Sequence, residues 1–143
     1  MNNPVSSLHP EIIARFAEFN LTVEEGQNLK PTNFNLADLQ FRSFIKEGDS
    51  KYITGEEMRR RAITMKGNLG LADAKNLRDQ LNSHPDKRKD LQGKYIVLPD
   101  TLLRRSGGDL HVAYLCWLGD SWEFRFPWLA HGWSGHDLFA CSE

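Results

Sequence analysis

No stretch of this sequence approaches the roughly 18 to 20 consecutive apolar residues that a membrane helix needs. The opening residues Met1-Asn2-Asn3-Pro4 lack the basic-then-apolar layout of a secretory signal, so a cytoplasmic location is the expectation. Cysteine is scarce. Cys116 and Cys141 are too few for a disulfide scaffold and lack the spacing of a metal site, which makes them free thiols in a reducing compartment. Internal repeats and low-complexity segments are also missing, which removes solenoid architectures and disordered tracts.

The apolar content suffices for one core. With 143 residues, 40% of them hydrophobic, a single domain spanning 1–143 is expected. The formal net charge is −1 but unevenly spread, with −3 over residues 1–50, +6 over 51–105 and −4 over 106–143. A basic middle between acidic ends means either a polyanion-binding face or charges that neutralise one another in the fold, and the second is the ordinary outcome.

His9-Pro10 announces the first helix: the residue before proline avoids helical geometry while proline suits the first helical position. The helix should run from Pro10 to about Phe19 with Ile12, Ile13, Phe16 and Ala17 inward. Thr22-Val23-Glu24-Glu25 has the form of a capping box, with Gly26 and Pro31 leaving room for a short helical turn. Asn35 is placed to cap a helix from Leu36 to Lys46, with Leu36, Leu39 and Phe44 inward and Gly48 as terminator, although Leu39-x-Phe41 also alternates like a strand. A second box, Thr54-Gly55-Glu56-Glu57, predicts a helix to about Met65 with Met58, Ala62 and Met65 facing the core. After the break at Asn68-Leu69-Gly70, the spacing of Leu71, Ala74, Leu77 and Leu81 predicts another amphipathic helix. Asn82, Ser83 and His84-Pro85 should end it, with His9 and His84 as cap or turn residues. Asp86 to Asp90 then reads as a solvated connector.

From Gly93 the period becomes two. Lys94 to Pro99 is a β-branched, apolar run in which Pro99, having no backbone donor, should mark a bulge or an edge. A turn at Ser106-Gly107-Gly108-Asp109 should join a strand over Thr101–Arg105 to one beginning at Leu110. Gly119-Asp120, between alternating runs, is a type II′ hairpin turn that pairs Leu118 with Ser121. The register then sets Trp117 across from Trp122, Leu115 from Phe124, Ala113 from Phe126 and His111 from Trp128 on one face. Tyr114 with Arg125, and Cys116 with Glu123, share the other. The expected class is α+β: a variable helical part over 1–50, a helical pair over 52–92, and an antiparallel meander of about four strands over 93–141.

Ile53-Thr54-Gly55-Glu56-Glu57-Met58, Asn68-Leu69-Gly70 with Asp73-Ala74, Lys94-Tyr95-Ile96-Val97-Leu98-Pro99 and Tyr114-Leu115-x-Trp117 with Trp122 and Trp128-Leu129 form a series. It resembles a group of small bacterial proteins with the same order of capped helix, Asn-Leu-Gly break, second helix and Trp-rich β-meander. The resemblance covers roughly Tyr52 to Leu138. It implies an architecture and a bacterial origin and supplies no catalytic residues, because no activity is established for that group.

Three features bear on function. The aromatic face of Trp117, Trp122, Phe124, Phe126 and Trp128 is either a stacking platform or core, and a domain of this size needs such burial to offset chain entropy. Arg59, Arg60 and Arg61 point about 100° apart on a helix. With Lys66, Lys87, Arg88, Lys89, Arg104 and Arg105 they are the residues a phosphate backbone would meet. Polar chemistry concentrates in His131-Gly132-Trp133-Ser134-Gly135-His136-Asp137. Gly132-Trp133-Ser134-Gly135 is one residue short of the hydrolase elbow, and the two histidines miss the helical spacing of zinc hydrolases. The expectation is therefore a binding, adaptor or inhibitor module acting on a protein partner without catalysis, metal or cofactor, with Trp133, His131, His136, Tyr114 and Arg125 as its binding residues. The alternatives are a nucleic-acid-binding protein using the basic 51–105 segment, through Arg59, Arg60, Lys87, Arg88, Arg104 and Arg105, and a small hydrolase or metal-dependent enzyme using the His131–Asp137 loop.

Overall fold

Ile96, Val97 and Leu98 are consecutive and fully buried, as are Leu102 and Leu103 but for a trace of exposure at Leu102, the mark of a strand covered on both faces. A computed structural model of the chain, which describes residues 10–25, 34–67 and 69–142, makes this strand the axis of the fold. In chain order the elements are α1 (Pro10–Phe19), β1 (Leu21–Glu25), β2 (Leu39–Ser43), α2 (Gly55–Thr64), α3 (Ala74–Asn82), α4 (Pro85–Asp90), β3 (Tyr95–Arg105), β4 (Leu110–Leu118), β5 (Ser121–Arg125) and β6 (Asp137–Ser142). His9, Gly26, Pro31 and Asn68 lie outside the described residues, as do the side chains of Phe16 and Arg88.

The α+β class holds, but the sheet is mixed and has six strands, not an antiparallel meander of four. β4 lies antiparallel along one edge of β3, pairing Ile96 with Leu115 and Leu103 with His111. The other edge is shared. β6 runs parallel beside Tyr95–Val97, and β1 runs antiparallel beside Leu102–Arg105. The strands expected at Lys94–Pro99 and Thr101–Arg105 are thus halves of one, and the β3–β4 register shifts between Leu98 and Leu103. Pro99 sits at this irregularity, where its missing N–H costs no ladder bond.

That discontinuity is filled by side chains. Arg59 of α2 donates to the carbonyls of Pro99 (3.0 Å) and Asp100 (3.2 Å). Thr101 Oγ1 accepts from Leu71 N (3.0 Å), at the start of a 3-10 turn that leads into α3. Two backbone carbonyls at the break are in this way bonded from α2, and a side-chain hydroxyl at the break satisfies the first N–H of the turn before α3.

The Gly119-Asp120 hairpin forms in the expected register, from Tyr114–Arg125 to Leu118–Ser121, and His111 bridges Trp128. Gly119 carries the positive φ (+73°) that the turn requires. Trp122 and Phe124 are buried against α3, Trp117 and Phe126 are partly buried beside them, and Trp128 is exposed. The aromatic face is core except at its last member.

Two local readings in the first half are overturned. Thr22–Glu25 forms β1 instead of a capped turn, because Leu21 and Val23 bury against the free half of the β3 edge. Leu36–Asp38 is a single 3-10 turn followed by β2, not a helix to Lys46. Asn35 makes no side-chain cap; Leu36 N instead donates to Gln80 Oε1 (2.8 Å) from α3. β2 pairs with β6, and Leu36, Leu39 and Phe44 are buried as expected even though their geometry is different. Asp86–Asp90 is likewise not a connector: Pro85 opens α4 at its first position.

Helices pack on both faces. On one, α1, α3 and the 3-10 turns bury Ile12, Leu71, Ala74, Leu77 and Leu81 against Leu98, Leu103 and Leu115. On the other, α2 buries Met58 and Ala62 against Val97, Val112 and Phe139. Thr54 Oγ1 caps α2 through Glu57 N (3.1 Å), while the Glu57 carboxylate turns to Arg60 rather than back to the cap. Ala17, expected inward on α1, is exposed. Asn82 holds the outer edge of β5 by a two-way pairing with Trp122, accepting from its N–H (2.8 Å) and donating to its carbonyl (3.3 Å). An edge strand is thereby covered by a side-chain amide that imitates a backbone partner.

Trp122 is 1% exposed and its indole N–H has no hydrogen-bond partner among the described residues. Trp122→Ala is therefore expected to cost about 3 to 5 kcal/mol in a denaturant melt, whereas Trp122→Phe, which removes the unpaired donor, should cost far less. Equal losses for the two would show that the indole nitrogen has a partner.

Candidate functional site

The chain leaves β5 at Arg125 and must travel back along the sheet before β6 begins at Asp137, since β5 and β6 both run parallel to β3. This return segment is fixed at both ends. Val112 N donates to Pro127 O (3.2 Å) and Leu129 N to Leu110 O (2.8 Å). It then crosses the start of α2, where Gly55 is so close to Leu129 that a Cβ would overlap the Leu129 carbonyl. The glycine of the capping box is thus required by the strap passing over it.

Trp133 anchors the crossing. It is 0% exposed, exchanges backbone hydrogen bonds with Ile53 (2.9 and 3.0 Å), and donates its indole N–H to Leu129 O (3.0 Å). His131 stacks on the Trp133 ring at 4.2 Å. Trp133 therefore offers no surface to a ligand. Its role is to seal the second core beside Met58, Phe139 and Leu129.

The remaining residues of the expected site gather loosely around Asp137. Asp137 is buried and accepts from Ser134 N (2.8 Å); burial pushes its carboxyl above the usual range, with His131 and His136 pulling the other way. His131 is shifted down by burial, against the Asp137 charge. His136 is exposed, and its N–H meets Ser134 Oγ (3.2 Å). Tyr114 stacks on Tyr95 at 5.0 Å and is raised chiefly by burial, with the Cys116, Tyr95 and Asp137 charges adding to it and Arg125 opposing. Cys116 and Cys141 are both free and buried, and burial raises Cys116. Among the described residues no three His, Cys, Asp or Glu side chains are grouped as a metal ion would need.

The basic residues do not share a face. Arg59 is turned into the sheet break, Arg60 pairs with Glu57, and Arg61 forms a bidentate pair with Asp49 (2.6 and 2.9 Å), which holds that carboxyl down at about 2. Arg104 pairs with Glu24 (2.9 Å). Lys87 is half-buried beside Asp90 and Arg42, Arg105 is exposed elsewhere, and Arg88 is undescribed beyond its backbone. Arg61, Arg78 and Arg104 of the basic middle each pair with a carboxylate of the acidic first segment.

The feature that sequence reasoning placed in the core and the structure places outside is Trp128. It is 56% exposed and stands between two clefts. The larger, about 700 Å³, is lined by Thr54, Gly55, Glu56, Gly108, Asp109 and Leu110 with the strap. The smaller, about 280 Å³, lies toward α1 and β1. Pro127 is the signal that was available: a proline immediately before Trp128 ends the ladder that would have carried the ring inward.

No family model, curated protein or solved structure matches this chain. No helix among the described residues is long and apolar enough to cross a membrane.

A buried carboxyl with a raised pKa destabilises the fold once ionised. The folded state is favoured by protonation, so Asp137 penalises stability above its folded pKa and the penalty fades as pH falls to its unfolded value near 3.8. Asp137→Asn should accordingly raise stability at pH 7 and be neutral near pH 3.5, read by denaturant melts at the two pH values. A variant weaker at pH 7 than at low pH would show that the charge itself is needed, as an ion pair with His131 would require.

Proposed function

We propose that the protein is a binding module that docks a protein partner on the exposed ridge of Trp128 and the 700 Å³ cleft beside it. The observation that supports this is a bulky indole held in solvent by a strap anchored on both sides, in a chain that buries Trp122 and Trp133 almost completely. Tryptophan is the residue most enriched among interface anchors, and a rigidly held one loses little entropy on binding.

The charge of the cleft indicates the partner's chemistry. Glu56 and Asp109 line it, and neither carboxylate has a hydrogen bond or ion pair with a described residue. Trp128 adds an aromatic face, which attracts cations. A partner segment presenting lysine or arginine beside an apolar side chain fits both. Of the basic residues on which nucleic-acid binding would depend, Arg59, Arg60 and Arg104 are turned to partners within the protein, and the polar loop is held by Trp133 with its histidines unpaired to any nucleophile, so neither alternative gains a supporting observation.

Trp128→Ala is expected to leave the denaturation midpoint nearly unchanged, within about 0.5 kcal/mol, because the ring is largely in solvent. The same change should abolish retention of a polypeptide partner on the immobilised protein, by at least tenfold, while Ile63→Ala, at an exposed apolar position on α2, should retain it. Retention that survives Trp128→Ala, or is removed by nuclease instead, contradicts the reading.

A further inference from the structure

The two outer edges of the sheet are treated differently. At β5 the Asn82 side chain takes up the outward backbone groups of Trp122. At β2, the strand beyond β6, no described residue plays that part. Which groups β2 leaves open follows from the ladder. Tyr95 N donates to His136 O in the parallel β3–β6 pair, so even-numbered residues of β6 turn their backbone groups to β3. The odd-numbered ones, Phe139 and Cys141, turn theirs to β2, where their register partners are Arg42 and Gln40. Leu39, Phe41 and Ser43 therefore point their backbone groups outward, and of these Leu39 N–H is given to Leu36 O. Leu39 C=O, both groups of Phe41 and Ser43 N–H have no backbone partner among the described residues. β2 has no proline and its ladder no bulge, two of the devices that ordinarily blunt an edge.

We propose that this open edge joins two copies of the chain, β2 pairing antiparallel with β2 across a two-fold axis centred on Phe41. The register is what selects a second copy as occupant. Centred there, outward groups meet outward groups: Phe41 exchanges N–H···O=C bonds with its counterpart, and Ser43 N–H meets Leu39 C=O on each side of the axis. The intervening positions set Gln40 of one copy across from Arg42 of the other, in the pairs where side chains approach most closely. Gln40 Oε1 accepts from Arg42 Nε (3.1 Å) and Nη2 (2.5 Å) within the strand, so the same donor and acceptor can pair between copies. An axis on Arg42 would instead oppose two guanidiniums, and an axis on Gln40 would lose the Ser43–Leu39 bonds. Phe41 is half-buried beside a cleft of about 440 Å³ walled by Leu91 and Leu138, which gives the second ring apolar surface to cover. A formal net charge of −1 sets little repulsion between copies. The edge is separated from β4 by β6 and β3 and uses none of the residues around Trp128, so it is independent of the docking surface above.

One strand pair is a small interface of the weak, transient class, so the test is sedimentation equilibrium of the full-length protein over about 5 to 500 μM. A monomer–dimer equilibrium is expected within that range. Amide hydrogen exchange at Phe41 and Ser43 should slow as concentration rises, whereas the Gln40 and Arg42 amides, bonded to β6, should be protected throughout. Gln40→Arg opposes like charges at both symmetric pairs and Gln40→Glu opposes unlike ones, so their dissociation constants should differ by roughly tenfold, with the glutamate variant the tighter dimer. Trp128→Ala should dimerise as the parent does, which separates failure of this edge from failure of the docking surface. A monomer at every concentration, or a dimer equally stable in the two Gln40 variants, would overturn the proposal. So would a dimer whose Phe41 and Ser43 amides exchange freely. Protection of those two amides in the monomer would show the edge covered from within the chain and would overturn it equally.

Discussion

The fold depends on one constraint: β3 has to serve two different partners along a single edge. β6 takes the first half and β1 the second, in opposite directions, while β4 alone lines the other side, with a register shift between Leu98 and Leu103. A strand cannot change partners without leaving backbone groups unpaired, and each such group costs stability when buried. Pro99 reduces the number by supplying no donor. Arg59 bonds the Pro99 and Asp100 carbonyls and Thr101 Oγ1 accepts from the turn before α3, so the two helical layers are tied to the same three residues, Pro99 to Thr101, from opposite sides of the sheet.

The candidate surface is a consequence of that arrangement. With β5 and β6 parallel, the chain must recross the sheet, and parallel pairing ordinarily uses a helix for such a return. Here residues 126–136 make the crossing as an irregular strap with two turns, and Trp133 takes the packing role a helix would have had. A strap gives its side chains to whichever side is closer. Trp133 goes down between Met58 and Phe139, and Trp128, one step past Pro127, is left standing between two clefts. Salt bridges act on a second level. Arg78 holds Glu11 in a bidentate pair (2.7 and 2.8 Å) while its guanidinium lies over the Phe124 ring, joining α1, α3 and β5.

Much of this was legible where local chemistry and tertiary need agree. Pro10, the Thr54 cap, the leucine spacing of α3 and the Gly119-Asp120 turn each act within a few residues, and each element formed there. The misses share a cause. Thr22–Glu25 carries a helix-start signal and Leu39–Ser43 follows one at Asn35 while also alternating like a strand, yet both became strands because β3 and β6 had edges to be paired, a long-range demand that overrides propensity. β6 itself was unread: Leu138-Phe139-Ala140-Cys141 is a short apolar run without alternation, as a strand covered on both faces must be. At the site, the His131–Asp137 concentration of polar residues drew attention to the half of the strap that is packed. His111, whose buried Nε2 has no partner among the described residues, was legible in the sequence as a hairpin partner of Trp128.

The account stands on Trp128 being the most exposed of the four indoles, presented to solvent by a strap anchored on both sides. Iodide quenching of tryptophan emission in the free protein measures this directly. The account predicts that the strongly quenched fraction disappears in Trp128→Phe and persists in Trp117→Phe and Trp122→Phe. A quenched fraction that survives Trp128→Phe, or is lost with Trp117→Phe, would contradict it.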